Sequence, residues 1–158
     1  MSPHAPAARP GILYAAATVG RVLGLPASCP GPVPEAADGE LVIWYGGWDL
    51  PTLRATAAGE RHLTRDEQHD STSGPMAPGY YRLLVPVPST GLRSWGEQVE
   101  YLHASGEGWQ PAPLSLVATA LLTHLERTRD DVFRGVCRCA EALPGNRHVG
   151  IGGLGNVV

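Results

Sequence analysis

The chain has no lysine, and only one phenylalanine, two methionines and three cysteines in 158 residues. All 12 basic residues are therefore arginine, set against 15 acidic ones for a net charge of −3. Isoleucine and asparagine are scarce as well, which reads as codon bias from a GC-rich genome more than selection for guanidinium chemistry. A sequence-independent grip on nucleic acid needs clustered positive charge. The arginines are instead scattered from Arg9 to Arg147, so no nucleic-acid partner is expected. No apolar run approaches the roughly 18 residues needed to cross a bilayer, and no membrane partner is expected either.

Three cysteines, Cys29, Cys137 and Cys139, cannot all pair within one chain. Cys137 and Cys139 stand two apart and would point the same way along a strand, a poor geometry for a mutual disulfide. Thiols acting as small apolar fillers in a reducing compartment fit better. Residues 11–20 have the length of a signal-peptide core, but Arg21 interrupts them and Pro3, Pro6 and Pro10 precede them. Ile12, Ala16, Val19 and Leu23 fall on one helical stripe, so a short helix is expected there and a cytoplasmic location follows.

The chain does have 20 glycines and 15 prolines, which predict a modest core with many irregular connections. Its length fits one domain. Residues 1–10 read as a flexible N-terminal tail and 11–158 as a single α+β domain. About four helices are expected, over 11–24, 49–58, 95–103 and 113–129, packed on a small, mainly antiparallel sheet.

The helix signals are local and physical. Asp49 before Leu50-Pro51 is a capping start, with Gly59 as a natural stop. Ser94 and Glu97 fit the reciprocal capping box. Leu114, Val117, Ala118, Leu121 and Leu125, widened by Leu116 and Leu122, make the last helix the expected central core element. Glu40–Tyr45 and Tyr80–Val87 read as strands, the second at a sheet edge because Pro86 and Pro88 cannot donate to a ladder. Residues 132–143 and 147–151 flank Pro144-Gly145-Asn146 as a C-terminal β-hairpin, which would place Leu143 opposite Arg147 and Cys139 opposite Ile151. Asn156–Val158 reads as a last short strand.

Several patterns spell chemistry without supporting it. Gly150-Ile151-Gly152-Gly153-Leu154-Gly155 has the letters of a dinucleotide fingerprint, but that motif needs a helix N-terminus to receive the pyrophosphate. Only Asn156-Val157-Val158 follow, and a Gly-rich turn or end strand is expected instead. Glu100 and His103 match one half of a di-iron element whose second half is missing. Cys137-Arg138-Cys139 lacks the further ligands of a zinc site. A boundary position explains His124. No nucleophile elbow or phosphate loop occurs, so no catalytic residue is assigned.

Two patterns carry functional expectations. On a helix, His62, Asp66 and His69 would share one face and could hold one divalent metal ion, giving a metal-dependent hydrolase; a solvated charged face is the plainer reading. The other is aromatic placement. Tryptophan and tyrosine make up nine of the ten aromatics, and most fall between Trp44 and Trp109. Rings with polar tips are enriched at interfaces, though they also close small cores. The expected function is a non-catalytic binding or protein-interaction module without a cofactor. Its contact residues would be Trp44, Trp48, Arg54, Tyr80, Arg82, Trp95 and Trp109, and its partner an unidentified protein or small molecule. Arg54, Arg82 and Arg93 could orient an anionic ligand.

Pro78 to Pro88, Glu97-Gln98, Pro111-Ala112-Pro113 and Ala120 to His124 together resemble a family of small uncharacterised proteins from high-GC bacteria. The resemblance covers roughly residues 44–150. No activity is assigned to that family, so it implies one intact domain and adds no catalytic residue.

Overall fold

The stretch expected as a first helix divides into a strand and a helix. The computed structural model describes residues 9–28, 31–63, 76–85, 94–106, 108–133, 137–143, 147–152 and 156–157. Ile12–Tyr14 forms β1 and Ala16–Leu23 forms α1. Ile12 leaves the helical stripe because β1 pairs in parallel with β2, Glu40–Tyr45, in the register Ile12 to Leu41 and Tyr14 to Ile43. The ladder satisfies backbone groups that the first turn of a helix would leave unpaired. Helix α1 buries Ala16, Val19 and Leu23, and ends at Gly24 in the left-handed conformation, φ 66°.

The expected helix over 49–58 is also two helices, α2 at Leu50–Ala55 and α3 at Ala57–His62. Asp49 caps the first as expected, its carboxylate accepting from the Thr52 N–H at 2.9 Å. Hydrogen bonding from Thr52, from its side chain first and its backbone N–H second, holds the Asp49 carboxyl below its usual range against the opposing effect of burial. Thr56 then breaks the helix in an extended conformation. Its hydroxyl donates to the Leu53 carbonyl at 2.6 Å and accepts from the Gly59 N–H at 2.9 Å, closing α2 and capping α3 together. Gly59 is therefore a buried member of α3 and not a helix stop.

β3, Gly79–Leu84, lies antiparallel to β2 and completes a mixed sheet in the order β1-β2-β3. The expected extension into Pro86 and Val87 lies outside the described residues. Helix α4, Trp95–Ser105, starts with the Ser94/Glu97 capping box.

Helix α5, Leu114–Thr128, is buried at every position from Leu114 to Leu125, Ser115, Thr119, Thr123 and His124 included. The hydroxyls of Thr119 and Thr123 donate to carbonyls one turn back, which removes the cost of burying them. A helix buried on all sides must be surrounded. α5 packs against α1, α2, α3, β2 and the C-terminal strands β4, Cys137–Leu143, and β5, Arg147–Gly152.

β4, β5 and β6, Asn156–Val157, form a second, antiparallel sheet. Leu143 faces Arg147 as expected, but a bulge shifts the register between Arg138 and Ala142, so Cys137 and not Cys139 opposes Ile151. Within the bulge, Ala140 donates its N–H to the Ala112 carbonyl at 2.9 Å. The Leu114 N–H donates to both Glu141 carboxylate oxygens at 2.9 Å, so that Glu141 caps α5 from another element. Residues from Tyr14 to Ile151 share one core. The fold is α+β, with five helices among the described residues, one more than expected because Thr56 interrupts the second.

Candidate functional site

The aromatic residues concentrate where β2 ends and β3 begins. Alternation along a strand sends neighbouring rings to opposite faces. Trp44 and Tyr80 oppose each other across the ladder with ring centroids 5.3 Å apart at 65°. Tyr45 touches Trp48 and Tyr81, each at 6.2 Å and 75°. Edge-to-face pairs of this kind add about 0.5–1.5 kcal/mol each beyond area burial.

These rings are not equivalent. Tyr45 is sealed, and its hydroxyl donates to the Trp48 carbonyl and lies 3.1 Å from the Ser115 hydroxyl on α5. Burial pushes its phenol above the usual range, with the Ser115 contact opposing. Trp44 is 9% exposed and belongs to the core, not to a contact surface. Its indole N–H is buried with no acceptor among the described residues. Trp48, Tyr80, Tyr81 and Met76 are only partly buried against that core.

The half-buried rings are pinned by their polar tips. The Tyr80 hydroxyl accepts the Ala16 N–H at 3.2 Å, and the Tyr81 hydroxyl donates to the Ala77 carbonyl at 2.7 Å. Gly47, at φ 80°, lets the chain turn between β2 and Trp48, and a Cβ there would stand 3.1 Å from the Pro78 ring. Trp48 and Tyr81 thus both touch Tyr45 on one face of the sheet, while Tyr80 packs with Trp44 on the other.

The remaining expected contact residues lie apart or are engaged. Arg82 is exposed but donates to Glu40 Oε2 at 2.8 Å and to the Glu35 carbonyl at 3.0 Å. Its charge is thus matched inside the chain. Arg54 sits half-buried in the last turn of α2, and Arg93 lies outside the described residues. Trp95 opens α4, while Trp109 lies between α4 and α5 with its indole over Gly106.

His62, the first expected metal ligand, is committed elsewhere. Its Nε2 meets Glu126 Oε1 at 2.9 Å, and Arg61 Nε donates to the same oxygen at 3.0 Å. Asp66 and His69 lie outside the described residues. Among the described residues no group of three or more His, Cys, Asp or Glu side chains could hold a metal ion. Burial alone would raise the Glu126 carboxyl, but the hydrogen bonds from Arg61 and His62 outweigh it and hold the group below its usual range. Sixty-four residues separate His62 from Glu126, so no local sequence pattern could have joined them.

That network makes a pH-dependent prediction. A depressed carboxyl stabilises the fold above its ordinary range and loses that contribution as the pH falls through its folded value. Glu126→Gln keeps an acceptor but removes the charge. It should cost about 1 kcal/mol at neutral pH, kept small by the exposed Arg61 partner. Urea midpoints of the two proteins should converge as the pH falls below the ordinary carboxylate range.

Among the described residues, no helix is long and apolar enough to cross a membrane. Compared with family models, curated proteins and solved structures, the chain matches none. The site is therefore read from its own chemistry.

Proposed function

We propose that the protein is a non-catalytic binding or interaction module that meets its partner through Trp48 and Tyr81, flanked by Met76. The observation that carries this reading is that both rings are half-buried against Tyr45 while the Tyr81 hydroxyl is already bonded to the Ala77 carbonyl. Fixed rings lose little conformational freedom when a partner lands on them, which is what interface anchors need. With Arg82 paired to Glu40, the cluster favours an apolar or ring-bearing surface over an anion. The partner is a protein segment or a small molecule of that chemistry.

Selection of a displayed random-peptide library on the purified protein tests this. Peptides enriched in aromatic and long apolar residues are expected on the wild type, with at least about tenfold weaker binding to Trp48→Ala and Tyr81→Ala, as for interface anchors. Trp109→Ala should bind as the wild type does. Enrichment that ignores both substitutions would overturn the reading.

A further inference from the structure

The segment Arg9 to Ala16 is attached at a few identifiable points, and a titratable pair lies among them. β1 is a three-residue edge strand paired on one side with β2. Upstream of it, the Gly39 N–H donates to the Arg9 carbonyl at 2.7 Å, and the Arg9 guanidinium stands 3.6 Å from Asp130. Within the strand, the Tyr14 hydroxyl meets His124 Nδ1 at 2.7 Å, across 110 residues of sequence. Both residues are 6% exposed, and their rings touch edge to face at 5.9 Å.

We propose that residues Arg9–Tyr14 form an acid-released arm, latched onto α5 by the Tyr14–His124 pair, whose release bares the edge of β2. This goes beyond the aromatic reading and does not depend on it. A neutral imidazole fits this site because a buried cation would lose its hydration. Burial accordingly pushes His124 below the ordinary imidazole range, Asp130 and Asp131 oppose that shift, and Arg9 adds to it. Arg127, on the same helix, acts on Tyr14, whose phenol burial pushes up.

Protonation therefore acts twice. It places a positive charge in a buried site, and it makes His124 compete with Arg9 for Asp130. Two of the arm's attachments weaken together. A depressed histidine supplies stability above its ordinary pKa and loses it as the pH falls through the folded value, so opening belongs to the acid side. Once the arm leaves, the backbone groups of Leu41 to Ile43 that paired with β1 become an open strand edge, which can accept another strand.

Amide exchange over residues 9–16 of the full chain, read by mass spectrometry and corrected for intrinsic rates, tests the latch. Between about pH 7.5 and about pH 5, protection of this segment should fall about tenfold or more while α5 stays protected. His124→Asn leaves an acceptor near the Nδ1 position without a titrating ring, and should abolish the pH dependence. Should that variant fail to fold, Tyr14→Phe serves instead: it keeps the ring, and should lower protection already at neutral pH. Equal protection of the wild type at both pH values, or acid opening that persists unchanged in both variants, would overturn the proposal.

Discussion

Gly59→Ala should be among the most damaging single-methyl additions to this protein, lowering stability by about 3 kcal/mol and the melting temperature by roughly 10 °C. A Cβ at Gly59 would lie 2.0 Å from the Leu53 carbonyl oxygen and 2.7 Å from the Arg54 Cα. Both are backbone atoms, fixed by the Thr56 bonds that join α2 to α3. No rotamer can relieve the overlap, so the two helices must separate. The matched control is Gly96→Ala in α4, where a Cβ meets nothing within 4 Å. That substitution should be neutral, or stabilising by up to about 0.5 kcal/mol through better helix propensity. Thermal unfolding of the pair checks both.

Leu122→Ala should cost about 3–4 kcal/mol, a large share of the roughly 5–15 kcal/mol that holds a domain of this size. Leu122 is fully buried on α5, the helix that joins both sheets to α1, α2 and α3. A cavity there has no solvent-facing side from which to collapse. By contrast, Val33→Ala, at a residue 48% exposed, should change stability by less than about 0.5 kcal/mol. Urea denaturation followed by far-UV circular dichroism distinguishes the two. Similar midpoints for both variants would mean that α5 is not the centre of the core.

The elements legible in the sequence were those specified by short-range chemistry. Glu40–Tyr45 is a strand with the expected ends, and the Asp49 cap and Ser94/Glu97 box form as their side chains require. The apolar run of α5 announced its burial, though its stripe did not show that the whole circumference is covered. What failed depended on distant partners. Ile12 obeys a helical stripe until β2 offers it a ladder, and Gly59 reads as a stop until the Leu53 carbonyl shows why no side chain fits. The hairpin register shifts between Arg138 and Ala142, where Glu141 caps α5, a role invisible from residues 137–151 alone.

The same rule governs the candidate site. Composition located the aromatic half of the chain but could not sort its rings. Trp44 and Tyr45 went to the core, while Trp48, Tyr80 and Tyr81 stayed at its margin. Strand alternation separates Trp44 from Tyr45, yet both faces of β2 are covered, and only the packed structure reveals that. Arg82 looked available for an anion until Glu40, its near neighbour across the ladder, matched it.

Incorporation of 5-fluorotryptophan gives one fluorine signal for each of the four tryptophans, assigned by single Trp→Phe variants. Titration with the tightest selected peptide then reports where a partner lands. The Trp48 signal should move with saturation while those of Trp95 and Trp109 stay in place. A partner that shifts Trp95 or Trp109 and leaves Trp48 unmoved would contradict the assignment of the β2–β3 end as the recognition surface.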